Sequence, residues 1–140
     1  MGSGCVLCQV ARGGGGAHFI FIPTEPMEVL IHHIYEYKKG LRNLVLHTMP
    51  QASLDEAERR LRQQNIAYMV QPLSRSQVNI FFGCPECLGV INRIGLKPLY
   101  RYTPEEDFIL GIMLGYDRRQ QCERFLRQKS RCAGDARRAG

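Results

Sequence analysis

The order of strand-like and helix-like runs is the feature of this sequence that most constrains its fold. Short apolar runs of the kind that form strands cover residues 28–37, 41–48, 66–70 and 78–82. Runs with apolar residues at helical spacing cover residues 53–64, 84–94, 103–115 and 117–129. We therefore expect a ββαββα core, a permutation of the ferredoxin-like order, followed by two C-terminal helices. This order predicts an α+β fold, a two-layer sandwich with a mostly antiparallel sheet of three to four strands.

Two of the predicted helices begin with a capping box. In this motif a Ser or Thr side chain and a Glu three residues later each bond a backbone N–H group of the other. Thr103-Pro104-Glu105-Glu106 is the clearer example, because Pro is also favoured at the first helical position. Ser53-Leu54-Asp55-Glu56 has the same spacing. These motifs predict helix starts at residues 53 and 103.

Length and composition are those of a single-domain globular protein. The 140 residues are 44% hydrophobic and 23% charged, which is enough apolar material for a sizeable core. We expect residues 27–129 to form one domain and residues 130–140 to be a frayed basic tail. Residues 1–26 contain a run of four glycines and are expected to be a disordered or mis-called extension, with Met27 as an alternative start.

The sequence contains no pattern of a membrane or secreted protein. No apolar run approaches the roughly 20 residues of a membrane-spanning helix, and no basic segment precedes an apolar one as in a secretory signal. The sequence therefore predicts a cytoplasmic protein with reduced thiols and no membrane partner.

Positive charge is concentrated near the C-terminus. The chain has a net charge of +6, and residues 117–140 contain eight basic and three acidic side chains. Such a segment predicts attraction to an acidic protein. The predicted binding residues are Arg118, Arg119, Arg124 and Arg127. Nucleic-acid binding is not expected, because the rest of the chain is nearly neutral and no aromatic residues are interleaved with the basic ones.

Cys84-Pro85-Glu86-Cys87 is the one motif with the spacing of a reactive centre. At a strand-to-helix junction it is compatible with a thiol redox site, although Glu86 opposes thiolate formation. A zinc site would need two more ligands. Cys5 and Cys8 form a second pair with the same spacing, but 75 residues separate it from Cys84 and Cys87. Cys122 and Cys132 would serve only if the last helix folded back. The favoured interpretation is structural, with Cys84 at the helix entry and Cys87 packed as a small apolar side chain.

Three segments resemble a small bacterial family with no assigned function, catalogued as domain of unknown function two-zero-two-three. They are IHHIYEYKKGLRNL at 31–44, VNIFFG at 78–83 and, most specifically, PEEDFILG at 104–111 with LGYDRRQQCER at 114–124. The resemblance covers residues 27–129 and implies an α+β fold and a homodimer. It also implies an association with flavodoxin, an acidic electron carrier, and brings no cofactor, catalytic residue or binding residue.

The sequence therefore supports two functional hypotheses. The leading one is a non-enzymatic, homodimeric protein-binding domain that docks an acidic partner such as flavodoxin through its basic C-terminal helix. The alternative is a thiol redox or zinc-binding protein that uses Cys84 and Cys87.

Overall fold

The computed structural model of the protein describes residues 26–138. Within these residues the elements are α1 (Pro26–Lys38), β1 (Leu44–Pro50), α2 (Leu54–Gln63), β2 (Ala67–Pro72), β3 (Gln77–Gly83), α3 (Pro85–Ile94), α4 (Pro104–Met113) and α5 (Arg118–Arg138). Short 3-10 turns cover Gln51–Ser53 and Leu99–Arg101. The predictions for residues 1–25, including the extension and Cys5 and Cys8, lie outside the described residues.

The described strands form one antiparallel sheet in the order β1-β3-β2. Phe82 of the central strand β3 lies opposite Val45 of β1 and Tyr68 of β2. Side chains alternate between the two faces of a strand, so Phe81 and Phe82 pack on opposite faces of the sheet. The predicted α+β class and antiparallel sheet are confirmed.

One face of the sheet packs against α1 and α2. Leu30 and Ile34 of α1 and Ala57 and Leu61 of α2 are buried in the same cluster as Phe82. Residues three or four positions apart lie on one face of a helix, which is why these pairs meet the sheet together.

The other face packs against α3 and α4. Phe81 is buried there with Leu88 and Ile91 of α3 and Leu110 of α4. Helices therefore cover both faces of the sheet, and the predicted two-layer sandwich is not the arrangement that the described residues adopt.

The prediction of a strand over residues 28–37 is wrong, because this segment lies in helix α1. Its β-branched and aromatic residues suggested a strand, yet Leu30 and Ile34 are the buried positions. Their spacing of four residues is that of one helical face. The element order is αβαββααα rather than ββαββα plus two helices.

The two predicted capping boxes have different outcomes. At α4 both bonds are present, from the Glu106 N–H to Thr103 Oγ1 and from the Thr103 N–H to Glu106 Oε2. At α2 the Ser53 side chain makes no capping bond within the described residues, because Ser53 ends a 3-10 turn in a helical conformation. Glu56 instead binds Arg59 and Arg60.

The last helix is longer than its sequence pattern predicts. We expected its end near Lys129, and α5 continues to Arg138. Within residues 26–138, no helix has both the length and the apolar character that crossing a membrane requires.

Candidate functional site

Helix α5 lies on the outside of the domain and packs against α4. The rings of Phe108 and Phe125 are 5.4 Å apart. A Cβ atom on Gly111 would lie 2.1 Å from Gln121 Oε1, so the glycine permits close approach of the two helices. None of the α5 residues is buried, which leaves most of this 21-residue helix open to solvent.

Two ion pairs also join α5 to α4. Arg124 Nε and Nη2 donate to the two carboxylate oxygens of Asp107 at 2.7 and 3.2 Å. Lys129 Nζ lies 2.7 Å from Glu105 Oε1. The hydrogen bond to Asp107 raises the pKa of Arg124, and the bond to Glu105 raises that of Lys129. Both cations therefore stay charged throughout the neutral pH range.

The four predicted binding arginines have different environments. Arg124 is engaged by Asp107, and Arg119 Nε lies 3.1 Å from Glu123 Oε1 on the same helix. Arg118 and Arg127 are exposed and form no ion pair with any of residues 26–138. These two keep their charges available for a partner.

The extension of α5 to Arg138 lengthens the basic face that the sequence predicts. Successive spacings of three, four and seven residues place Arg124, Arg127, Arg131 and Arg138 on one side of the helix. We refer to these four residues as the arginine stripe. Arg131 and Arg138 were missed because residues 130–140 were assigned to a frayed tail, although the helical spacing of the arginines was present in the sequence.

An apolar groove of about 500 Å³ lies between α4 and α5. Its lining residues are Glu105, Phe108, Ile109, Cys122, Phe125 and Leu126. Leu126 is 62% exposed and Ile109 is 41% exposed, so apolar surface is open to solvent here. Arg118 lies one helical turn before Cys122 on the same side of α5. The α4–α5 groove and the arginine stripe thus occupy different flanks of one exposed helix.

Cys84 and Cys87 meet where β3 gives way to α3. Cys84 is the N-cap of α3, and its thiol donates to Cys87 Sγ at 3.0 Å. Burial, the bond from Cys84 and the nearby Glu86 raise the pKa of Cys87 to about 11. Cys87 also packs against the core cluster that contains Phe81, as the structural interpretation predicts.

In the part of the chain that the structure describes, Cys84 and Cys87 have no third ligand with which to form a zinc site. Among residues 26–138 no group of three or more His, Cys, Asp or Glu side chains is arranged to hold a metal ion. Cys122 and Cys132 are exposed on α5 and do not join the pair at Cys84 and Cys87.

The described residues define an α+β domain with a three-stranded antiparallel sheet, helices on both faces and an exposed basic helix. The family model described as Protein of unknown function (DUF2023) matches residues 28–128, and the chain belongs to that family. This confirms the resemblance found in the sequence. Comparison with curated proteins finds no match.

Proposed function

We propose that this protein is a non-enzymatic protein-binding domain that docks an acidic protein through α5. The observation that carries the proposal is the charge of this exposed helix. It contains eight basic and two acidic side chains, a net charge equal to the +6 of the whole chain. The rest of the protein is therefore electrically neutral overall, and an approaching acidic surface is attracted toward α5.

The arginine stripe supplies the attraction and the α4–α5 groove supplies apolar contact. Arginines at the rim of an interface mainly accelerate association and orient the partner. Buried aromatic and aliphatic side chains at its centre slow dissociation. Phe108, Ile109 and Leu126 provide such side chains in the α4–α5 groove, on the side of α5 that also contains Arg118.

Flavodoxin is the partner that we propose, because the family resemblance implies it and because an acidic electron carrier complements a basic helix. No chemical step is required of this protein in such a complex. The role of α5 is to present charge and an apolar groove at a fixed angle, which the contacts with Asp107 and Glu105 stabilise.

A titration with purified flavodoxin tests the proposal. We expect binding at an ionic strength of about 0.01 M and weaker binding at about 0.1 M, because the screening length falls from about 30 to about 10 Å. Isothermal calorimetry of the full chain at both ionic strengths provides the measurement. Absence of binding at low ionic strength, or affinity that does not change with salt, would contradict electrostatic docking.

We also propose that the homodimer forms away from α5. Two helices with this charge repel each other, so a second copy is better placed on the nearly neutral α1. There Ile31 and Tyr35 are 44% and 54% exposed, one helical turn apart. Sedimentation equilibrium should give a dimer for the wild type and for Leu126→Glu, and a monomer for Ile31→Glu. A monomeric wild type, or a dimer lost only in Leu126→Glu, would refute this arrangement.

A further inference from the structure

The two thiols at the start of α3 are arranged for reaction with each other. Their sulfur atoms are 3.0 Å apart, and a disulfide bond is about 2.05 Å long. Bond formation therefore requires the sulfur atoms to approach by only about 1 Å, a change within reach of side-chain rotation.

The backbone around Cys84 is fixed by its neighbours. Gly83 has a φ of 150°, and a Cβ atom there would lie 2.2 Å from the Asn43 carbonyl oxygen. The Cys84 N–H donates to that same oxygen at 2.9 Å, while the Cys84 carbonyl accepts from the Leu88 N–H at 3.2 Å. The peptide groups on both sides of Cys84 are thus anchored, which keeps the two sulfur atoms near each other.

The choice of residue at this helix start is unusual for a purely structural position. At α4 the chain has Thr103, whose hydroxyl accepts a backbone N–H. At α3 the corresponding residue is Cys84, whose side chain makes no capping bond within the described residues. A thiol in this place stabilises the helix less than Ser or Thr would. It does, however, place a second sulfur atom beside Cys87, at 3.0 Å.

We propose that Cys84 and Cys87 are a reversible dithiol–disulfide site that exchanges with low-molecular-weight disulfides. The Cys84 thiolate attacks one sulfur of the oxidant, whose S–S bond breaks and whose other half leaves as a thiol after taking up a proton. Cys87 then loses its proton and attacks Cys84 Sγ, which releases the second thiol. Two electrons pass from the cysteine pair to the oxidant, and one disulfide is exchanged for another.

The two cysteines have different roles in this sequence of steps. Cys87 is half-buried against the core, and its pKa of about 11 keeps it protonated at neutral pH. A protonated thiol is a poor nucleophile toward an external disulfide. Cys84 is the helix N-cap and makes the first attack, whereas Cys87 resolves the mixed disulfide from 3.0 Å away.

Equilibration with mixtures of reduced and oxidised glutathione tests the proposal. The protein is used both as wild type and as a variant with serine at Cys5, Cys8, Cys122 and Cys132. After alkylation of free thiols, trypsin releases one peptide, residues 76–93, that contains both cysteines. As the oxidised fraction of glutathione rises, we expect the doubly alkylated peptide to be replaced by an unalkylated form that is two hydrogen atoms lighter than the dithiol peptide, and the change to reverse with the mixture.

Single-cysteine variants test the order of attack. Both variants are made in the four-serine background. Cys87→Ser retains only the Cys84 thiol, and Cys84→Ser retains only the Cys87 thiol. We expect glutathione disulfide to react about tenfold faster with the former. Equal rates or the opposite order would overturn the assignment of roles. A peptide that stays reduced, or that carries only glutathione adducts, would overturn the proposed site. Either failure leaves the docking proposal standing, because α5 contributes no atom to this site.

Discussion

Arg124 on α5 and Asp107 on α4 form a two-point ion pair. Both carboxylate oxygens accept from the guanidinium group, at 2.7 and 3.2 Å, and the two residues are 17 positions apart in sequence. The parallel geometry of two such bonds fixes orientation as well as distance. This pair therefore helps to set the angle at which α5 presents the arginine stripe and the α4–α5 groove.

We expect the pair to contribute modestly to stability. Arg124 is about half exposed, so its attraction to Asp107 is screened by solvent. A double-mutant cycle with Arg124→Ala and Asp107→Ala, followed by urea unfolding, should give a coupling free energy of about 0.5 kcal/mol. Arg127→Ala is the matched control and should show no coupling to Asp107. A coupling of zero for the first pair would contradict the role assigned to this contact.

The Thr103 cap should be a larger contributor. Its hydroxyl accepts from the Glu106 N–H at 3.2 Å, and loss of an N-cap acceptor costs about 1 kcal/mol. Thr103→Ala should therefore lower the free energy of unfolding by that amount in urea denaturation. Thr103→Ser retains the oxygen and should change it by less than about half as much. Equal effects of the two substitutions would argue against the cap.

Gly83→Ala should be among the most damaging substitutions in the chain. The new Cβ would lie 2.2 Å from the Asn43 carbonyl oxygen, and its three nearest atoms are all backbone atoms of Asn43 and Leu44, so no flexible side chain can move away. We expect a loss of at least about 2 kcal/mol in the free energy of unfolding. Gly89→Ala on α3 is the control, since a Cβ there meets nothing within 4 Å. Wild-type stability of Gly83→Ala would show that this junction is not tightly fixed.

His33 should make stability depend on pH. Burial, with smaller effects of His47 and Arg42, lowers its pKa from 6.5 to about 4, whereas Glu36 acts in the opposite direction. His32 also lies nearby and adds a small lowering effect. Because the folded-state pKa lies below the unfolded value, the unfolded chain binds more protons between these two values. Stability from this group is therefore present above about pH 6.5 and is lost as the pH falls toward 4.

We expect about 2 kcal/mol of the free energy of unfolding to be lost between about pH 7 and about pH 5 through His33. Urea midpoints measured across this range should show the loss in the wild type and a much smaller loss in His33→Asn. His32→Asn is a suitable control, because the His32 side chain is 67% exposed. An unchanged pH profile in His33→Asn would assign the effect to another group.

The sequence was most informative where a residue type has one strong local preference. Thr103 with Glu106 located the start of α4 correctly, and Cys84-Pro85 located that of α3. Three of the four strand predictions were also confirmed, because residues 44–48, 67–70 and 78–82 lie in β1, β2 and β3. Short apolar runs bounded by turns or helix caps are consistent signals of strands.

The two main failures have different physical origins. The spacing of the apolar side chains in residues 28–37 is compatible with both a strand and a helix. Burial of Leu30 and Ile34 against the sheet selects the helix. By contrast, the few apolar residues after Lys129 gave little reason to extend α5, and none of its residues is buried, so no core pattern could indicate where the helix ends. The sequence predicted a basic face on this helix. It did not predict that Arg131 and Arg138 belong to that face, because the helix was expected to end near Lys129.

The central claim, docking of an acidic partner through α5, is tested most directly by matched charge reversal. Arg127→Glu/Arg131→Glu changes the stripe at two exposed positions. Arg75→Glu/Arg93→Glu makes the same change in net charge at two exposed arginines outside α5. Calorimetric titration of flavodoxin into each at low ionic strength is the measurement. We predict that the stripe variant loses at least about tenfold in affinity and most of its salt dependence, and that the control stays within about threefold of wild type. Equal losses in the two variants, or wild-type affinity in the stripe variant, would contradict the claim.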